Sequence, residues 1–526
     1  MERGTPGIRG GQRKAGTIRP AARVAADNRR AAPANQEIDA EIGAESEMLL
    51  GASPLIVALS HGGVTQTPLE RTERQRSLKS VNQRRLLPSR RSPHDSEIRR
   101  LALPALGALA AEPLYVLVDT AIVGRLGIEP LAGLAVAGIV LTAMYGICNF
   151  LAYSTTALVA RRVGANDPRG AAELGVDGAA VALSLGIALM VIGLLGAPLI
   201  VDAMGASSSA APYALEYLRI SLFGAPAMLF MLAGSGYLRG RQDTRTTLVI
   251  AVAANIINLA LELIFVYGLD AGIAGSAWGT VVAQWAAAIA FAVIMVRSVR
   301  ATGARHRPRL SGMRHTAVVG GPLIVRTLAL IFVFLATTNL TARISDSAVA
   351  AYQIAFQIFI LLALTVDALA IASQALIGKF LGANDPGSAR ASARRMLEWG
   401  VLVGLILTVV LTVFRYDLVA IFTNDSATRE LAAQMILVVA VLQPLNAVVF
   451  VLDGVLIGAG DQRFLAVAMV IATIGVWIPA VLIITELGGG PVALWGALAL
   501  FFIARAVGLG IRFRSHAWEV SGANRR

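Results

Sequence analysis

The chain has 526 residues, 56% of them hydrophobic and only 15% charged, with a mean hydropathy of +0.67; soluble domains are nearer half apolar and a quarter charged, so this composition excludes an ordinary soluble protein and marks an integral membrane one. The net charge of +13 reads as membrane topology with a minor attraction to anionic lipid, and nucleic acid is not an expected partner. The single cysteine, Cys148, rules out an intrachain disulfide, and the lack of a G-x-x-x-x-G-K-[ST] loop argues against ATP-driven chemistry within the chain.

Residues 1–96 differ from the rest. They are rich in Arg, Ala, Gly, Pro and Gln, and a disordered basic extension is expected. The apolar stretch 48–60 within them is too short for the roughly 20 residues that cross a bilayer. From Arg99 onward, apolar runs of spanning length recur, and twelve spans are expected, centred near Leu114, Ala143, Ile187, Ala227, Asn258, Ala287, Leu330, Leu362, Leu405, Leu442, Thr473 and Phe502. Arg-rich and Arg-poor breaks alternate, except that the break with Arg415 and Arg429 outweighs the one with Arg463. Positive charge gathers on the cytoplasmic side, so both termini are expected there, in the inner (plasma) membrane.

The chain repeats itself. RRVGANDP (161–168) recurs as KFLGANDP (379–386), a shift of 218. The same shift carries Gly236, Gly240 and Asp243 onto Gly454, Gly458 and Asp461, and Pro104 onto Pro322; a shift of 217 carries Trp278-Gly279 onto Trp495-Gly496. Six spans separate the copies, an even number, so both enter the membrane in the same direction, as in transporters built from parallel repeats. The expected fold class is an all-α polytopic membrane protein of two six-helix bundles: a first lobe over 97–300, a basic linker over 301–313, a second lobe over 314–515 and a short tail over 516–526.

Charged groups inside such spans are expensive, by about 2.5–3.5 kcal/mol on insertion scales, and so mark function. Asp119 lies six residues before Arg125 and Glu262 eight before Asp270, which places them at similar depths, roughly 9 and 12 Å in at 1.5 Å per residue. Asn258 shares a helix face with Glu262, and Glu112 shares one with Asp119. Two helices of the first lobe can thus point acids and an amide at one pocket. In the second lobe, Arg326 and Asp367 have comparable depths and suit an ion pair, either in a substrate cavity or as lobe stabilisation; Asp453 is shallower and suits substrate contact or a helix end. The shift of 218 takes Asp119, Asn258 and Glu262 to Thr337, Val476 and Ala480, so an ion site would belong to one lobe only. Pro104 and Pro113 remove backbone donors from the first span and invite bending.

The paired GAND loops, LALPALGALAAEPL leading into VDTAIVG, NLALELIFVYGLDAGIAGSAWGT and VDALAIASQALIGKFLGAND resemble the multidrug and toxic compound extrusion (MATE) family, nearest its DNA-damage-inducible protein F branch. The resemblance covers roughly 97–515. It implies antiport of bulky, mostly cationic organic compounds against protons or sodium by alternating access, with Asp119, Asn258 and Glu262 as the cation-coupling group and bending of the first helix at Pro104. The branch commonly has aspartate where this chain has Glu262. No enzyme activity, cofactor or bound metal is expected, and the partners are small organic substrates and the bilayer, with the chain a monomer. The alternative, a flippase for a lipid-linked precursor, calls for a cavity lined by several cationic residues, of which Arg326 alone stands out clearly.

Overall fold

Glycine, asparagine, aspartate and proline set the helix boundaries. In both GAND segments the glycine is the last helical residue and the asparagine turns the chain in the left-handed region, with φ 54° at Asn166 and 58° at Asn384. The aspartate then caps the next helix: Asp167 accepts from the Gly170 N–H at 2.7 Å and Asp385 from the Ser388 N–H at 2.9 Å, with Pro168 and Pro386 at the first helical position. The Gly170 N–H holds the Asp167 carboxyl below the usual carboxylate range; the Ser388 hydroxyl and N–H do so for Asp385.

A computed structural model describes residues 92–523. The extension expected over 1–96 therefore lies outside the described residues except for its last five. The twelve spans are α1 (Asp95–Gly124), α2 (Ile128–Gly164), α3 (Pro168–Ala203), α4 (Ala211–Leu222 and Ala225–Gly240, bent by 50°), α5 (Thr244–Gly268) and α6 (Gly272–Thr302), then α7 (Leu310–Ala342), α8 (Asp346–Gly382), α9 (Pro386–Ala420), α10 (Ser426–Gly458), α11 (Gln462–Glu486) and α12 (Pro491–Arg514). Every expected centre falls inside its span. Two spans change pitch: α5 ends in a π-helical segment at Ile264–Gly268, and α11 has one at Thr473–Trp477. No β-strand occurs among the described residues. The connector between the halves, 303–309, is tied to α3 by Arg305, which bonds Asp177 (2.9 Å from Nη1) and Glu173 (3.3 Å).

Hydrocarbon gives helices no hydrophobic reason to associate, so close approach at small residues has to supply the contact. Gly236 and Gly240 of α4 lie so near Ala152 and Thr156 of α2 that a methyl group on either would strike backbone. Residues 218 positions on do the same, Gly454 and Gly458 of α10 lying against Ala370 and Gln374 of α8. Gly186 meets Pro226 and Gly404 meets Pro444 at the same shift. The sequence repeat is thus a repeat of contacts, and the two halves share one packing plan.

The halves meet at the end that carries the GAND turns. A side chain at Gly164 would collide with the Lys379 carbonyl and one at Gly382 with the Arg161 carbonyl; the four positions are equivalent in pairs under the shift of 218, so the contact is reciprocal. Around it, Arg395 bonds Asp95 at 2.6 Å and Lys379 bonds Glu97 at 3.3 Å. Arg161 donates to the carbonyls of Ala459 (2.7 Å), Val520 (2.9 Å) and Gly522 (2.9 Å), and the Gly522 N–H donates to Leu381 (2.9 Å). The segment after α12 is therefore stitched across both halves, with Trp518 fully buried and stacked on Phe513.

Replacing Gly454 by Val should force α10 away from α8 and destabilise the protein by about 1–3 kcal/mol. Thermal unfolding of the detergent-purified chain reads this, and Gly496→Ala, at a position with no neighbour within 4 Å, should melt like the wild type.

Candidate functional site

In the first half, α1, α4, α5 and α6 bring polar side chains to one place. Asn258 and Glu262 are one helical turn apart on α5 and both are buried, as is Asp119 on α1. The α6 backbone can approach them because Gly275 and Gly279 face α5: a methyl at Gly279 would come within 3.2 Å of the Glu262 nitrogen, and one at Gly275 would press on Phe265. This close approach brings Ser276 and Thr280 into the group. The Ser276 hydroxyl donates to Asp119 Oδ1 at 2.6 Å, Asn258 Nδ2 donates to Thr280 Oγ1 at 3.1 Å, and the Tyr115 hydroxyl shares a hydrogen bond with Thr280 at 2.8 Å. Buried Tyr217 of α4 lies alongside Asp119 and Glu262. Two further bonds brace α5 on α1, Asn255 Nδ2 to the Ala111 carbonyl (2.8 Å) and the Tyr267 hydroxyl to the Ile122 carbonyl (3.3 Å).

The group has more acceptors than donors. Both carboxyl oxygens of Glu262, fully buried, lack a hydrogen-bond partner among the described residues, and so does Asn258 Oδ1. The Glu262 carboxyl group lies beside the Asp119 carboxyl and the Ser276 hydroxyl, close enough that a single proton between the two acids would be shared. Buried polar atoms are nearly always paired, and an unpaired buried carboxyl group is among the most expensive features a protein can hold. Oxygen-rich, donor-poor surroundings of this kind suit a proton or a hard cation that prefers oxygen ligands. Ser276, Thr280, Tyr115 and Tyr217 are additions to the sequence-based set; Ser276 and Thr280, one turn apart beside two glycines, were the legible signal. Glu112 is exposed and is not brought into the group. Pro104 and Pro113 lie inside α1, which remains one helix through both.

The second half solves its charges differently. Arg326 of α7 and Arg505 of α12 both bond Asp453 of α10, each at 2.5 Å. Arg505 also lies over the rings of Phe501 and Phe502, 5.7 Å from each centroid. The pair expected between Arg326 and Asp367 is thus replaced by Arg326 with Asp453. Counting residues along the helices put Asp453 roughly 12 Å in and Arg326 deeper, but a long arginine side chain reaches across that difference. Asp367 of α8 forms no ion pair with Arg326; it lies within electrostatic range of Arg326 and, from the other half, of Arg239 of α4 and Tyr153 of α2. Arg505 escaped the sequence reading because it interrupts an apolar run, FFIARAVG, next to a basic tail.

Twelve spans in two parallel copies, with a buried oxygen-rich group in one copy, define the class: a multi-pass membrane transporter. A sequence model of the MatE family matches residues 104–264 and again 322–483, two blocks whose starts are 218 apart. Protein DETOXIFICATION 44, chloroplastic, of Arabidopsis thaliana is 32% identical over 438 residues, covering 81% of this chain and 83% of that protein. DNA damage-inducible protein F of Escherichia coli (strain K12) is 29% identical, covering 80% and 92%. A crystal structure of MATE in the bent conformation superimposes with a TM-score of 0.74 at 22% identity, covering 81% of this chain and 96% of that one. The chain belongs to the MATE family of transporters.

Asp453→Ala should leave two buried guanidinium groups facing each other and destabilise by about 3–5 kcal/mol. A double-mutant cycle of Asp453→Ala with Arg505→Ala, followed by thermal unfolding, should show strong coupling. Glu262→Gln should do the reverse: it replaces an unpaired buried carboxyl group by a neutral amide of the same shape, and stability should rise by about 1–3 kcal/mol.

Proposed function

We propose that the protein exports small organic compounds in exchange for H⁺ or Na⁺, with Asp119, Asn258 and Glu262 as the group that takes the ion. The observation that carries this reading is the set of buried oxygens with no donor, the two of Glu262 and Oδ1 of Asn258. A bound cation supplies what those oxygens lack, and its departure restores the unfavourable arrangement, so ion occupancy can bias the packing of α1 against α5 and α6. The efflux sense rests on the relatives: a DNA damage-inducible protein and detoxification proteins share most of this chain's length.

The mechanism follows from where the ion site is braced. Asn255 and Tyr267 hold α5 directly on the α1 backbone, and Ser276 holds α6 on Asp119. When a proton or sodium ion neutralises one carboxyl group, the repulsion between Asp119 of α1 and Glu262 of α5 falls, and the preferred packing of α1 against α5 and α6 changes. Pro104 and Pro113, which leave two α1 carbonyls without their helical donors, let the helix bend in response. Bending of α1 reaches the junction of the halves through Asp95 and Glu97 at its own start, which bond Arg395 and Lys379 of the second half. Opening and closing that junction alternates access, and the membrane potential adds about 2.3 kcal/mol per charge per 100 mV. The GAND end, with its arginines, is assigned to the cytoplasm of an inner membrane.

Asp119→Asn should abolish gradient-driven uptake of a fluorescent dye into inverted vesicles by at least about tenfold while leaving expression and membrane insertion unchanged. Imposing a pH gradient alone and then a sodium gradient alone identifies the ion, and full transport by the variant under both gradients would remove the assignment.

A further inference from the structure

On the outside of the first half, the bend of α4 opens a groove of about 640 Å³ whose walls all come from that half, among them Ile187 of α3, Phe223 and Pro226 of α4, and Trp278, Val282 and Trp285 of α6. The Phe223 and Trp278 rings stack at 6.1 Å, and Trp285 Nε1 donates to the Phe223 carbonyl at 3.1 Å. Trp278 and Val282 each follow Ser276 and Thr280 by two residues, about 200° around the helix, so the groove lies on the far side of α6 from the ion group. In a membrane span that far side faces lipid, and Ile187, Trp278 and Trp285 are 50%, 44% and 40% exposed. Tryptophan gathers at membrane interfaces, yet Trp285 is thirteen residues into α6, roughly 20 Å from its start. One turn before Phe223, on the same face of α4, stands Arg219, and Glu216 stands a turn before that. Both are exposed, and neither forms a hydrogen bond or ion pair among the described residues. Counted from Ala211, they lie roughly 12 and 8 Å along the span, at the edge of the hydrocarbon and at the end opposite the GAND turns. The second copy has none of this: the shift of 218 replaces Glu216, Arg219, Phe223, Trp278 and Trp285 by Gln434, Leu437, Val441, Gly496 and Ile503, and α10 is unbroken.

We propose that this groove is a specific lipid site, holding an acyl chain of one phosphatidylethanolamine molecule from the leaflet opposite the GAND turns, with its phosphate on Arg219 and its ammonium on Glu216. Going outward along α4, the protein presents an apolar groove, a guanidinium group and a carboxylate. Going outward along the lipid come a hydrocarbon chain, a phosphate and an ammonium, so each group meets its complement. The arginine fork suits two phosphate oxygens, and its long stem lets the charge reach the headgroup level from just inside the hydrocarbon. Phosphatidylglycerol brings no cation to Glu216, and phosphatidylcholine brings one without an N–H to donate. A lipid seated here braces the outer face of α6, whose inner face carries Ser276 and Thr280.

The site is independent of the cargo and of the coupling ion, so it is tested without a gradient. Full-length protein, delipidated in detergent, is titrated with phosphatidylethanolamine, phosphatidylglycerol and phosphatidylcholine of identical chains, and the bound lipids are counted by native mass spectrometry. The first phosphatidylethanolamine should bind at least about tenfold more tightly than the first molecule of either other lipid, the discrimination expected of one charge-assisted contact. Arg219→Gln should weaken it by about tenfold, and Glu216→Gln should leave it no tighter than phosphatidylcholine. Val282→Trp, which fills the groove, should weaken all three lipids. Glycerophosphoethanolamine, the headgroup without chains, should not bind in the same concentration range. A wild-type preference short of tenfold overturns the proposal, as does headgroup binding as tight as that of the lipid. Unchanged phosphatidylethanolamine affinity in folded Arg219→Gln or folded Val282→Trp overturns it too. The wild-type comparison decides even where a variant does not fold.

Discussion

Every ionisable group in this bundle has to be answered locally, because hydrocarbon offers neither water nor counter-ions. The structure answers in three ways. Asp453 is neutralised outright, gripped by two guanidinium groups at 2.5 Å. Asp119 receives one hydroxyl, from Ser276 at 2.6 Å. Glu262, fully buried, has no donor at full hydrogen-bond geometry among the described residues and only the Asp119 carboxyl and the Ser276 hydroxyl nearby. That gradient from full to absent compensation separates framework from function: a satisfied buried pair holds helices in place, whereas an unsatisfied group keeps a standing affinity for something that can arrive and leave.

The doubled fold supplies the frame on which this asymmetry is laid. Gly236 and Gly240 pack α4 on α2 in the first half as Gly454 and Gly458 pack α10 on α8 in the second. Backbone contact is insensitive to which side chains point elsewhere, so the two copies could diverge freely in their polar residues while keeping one geometry. The places of Asp119, Asn258 and Glu262 are taken in the second copy by Thr337, Val476 and Ala480, and the ion site exists once. The glycines therefore matter to function indirectly: Gly275 and Gly279 of α6 allow the approach that puts Ser276 beside Asp119.

What was legible in the sequence was whatever the membrane forces into a pattern. Twelve apolar runs, the repeat at 218 and the two GAND turns all reflect local rules of hydropathy and backbone conformation, and each has its counterpart in the structure. Asp119 with Glu262 was legible because depth along two helices follows from counting. Lateral partners were not. Depth alone matched Arg326 with Asp367, but an arginine side chain is long enough to take a partner at a different depth, and α10 brings Asp453 nearer. Glu112 fails for the complementary reason: it shares a face with Asp119 but lies two turns away, roughly 10 Å along α1, and the residue is exposed. Ser276 and Thr280 left only a faint signal, their one-turn spacing beside Gly275 and Gly279, and which acids they meet waits on the fold.

The stitch formed by residues 520–522 has a consequence for biogenesis. Arg161 sits at the end of the second span, yet Ala459, Val520 and Gly522, whose carbonyls it holds, belong to the second copy and to the segment beyond the last helix. Translation delivers that segment only after all twelve helices have left the ribosome. The seam between the two copies is thus fastened in part by residues made after the last helix, so a chain cut just after α12 would keep every span and lose that clasp.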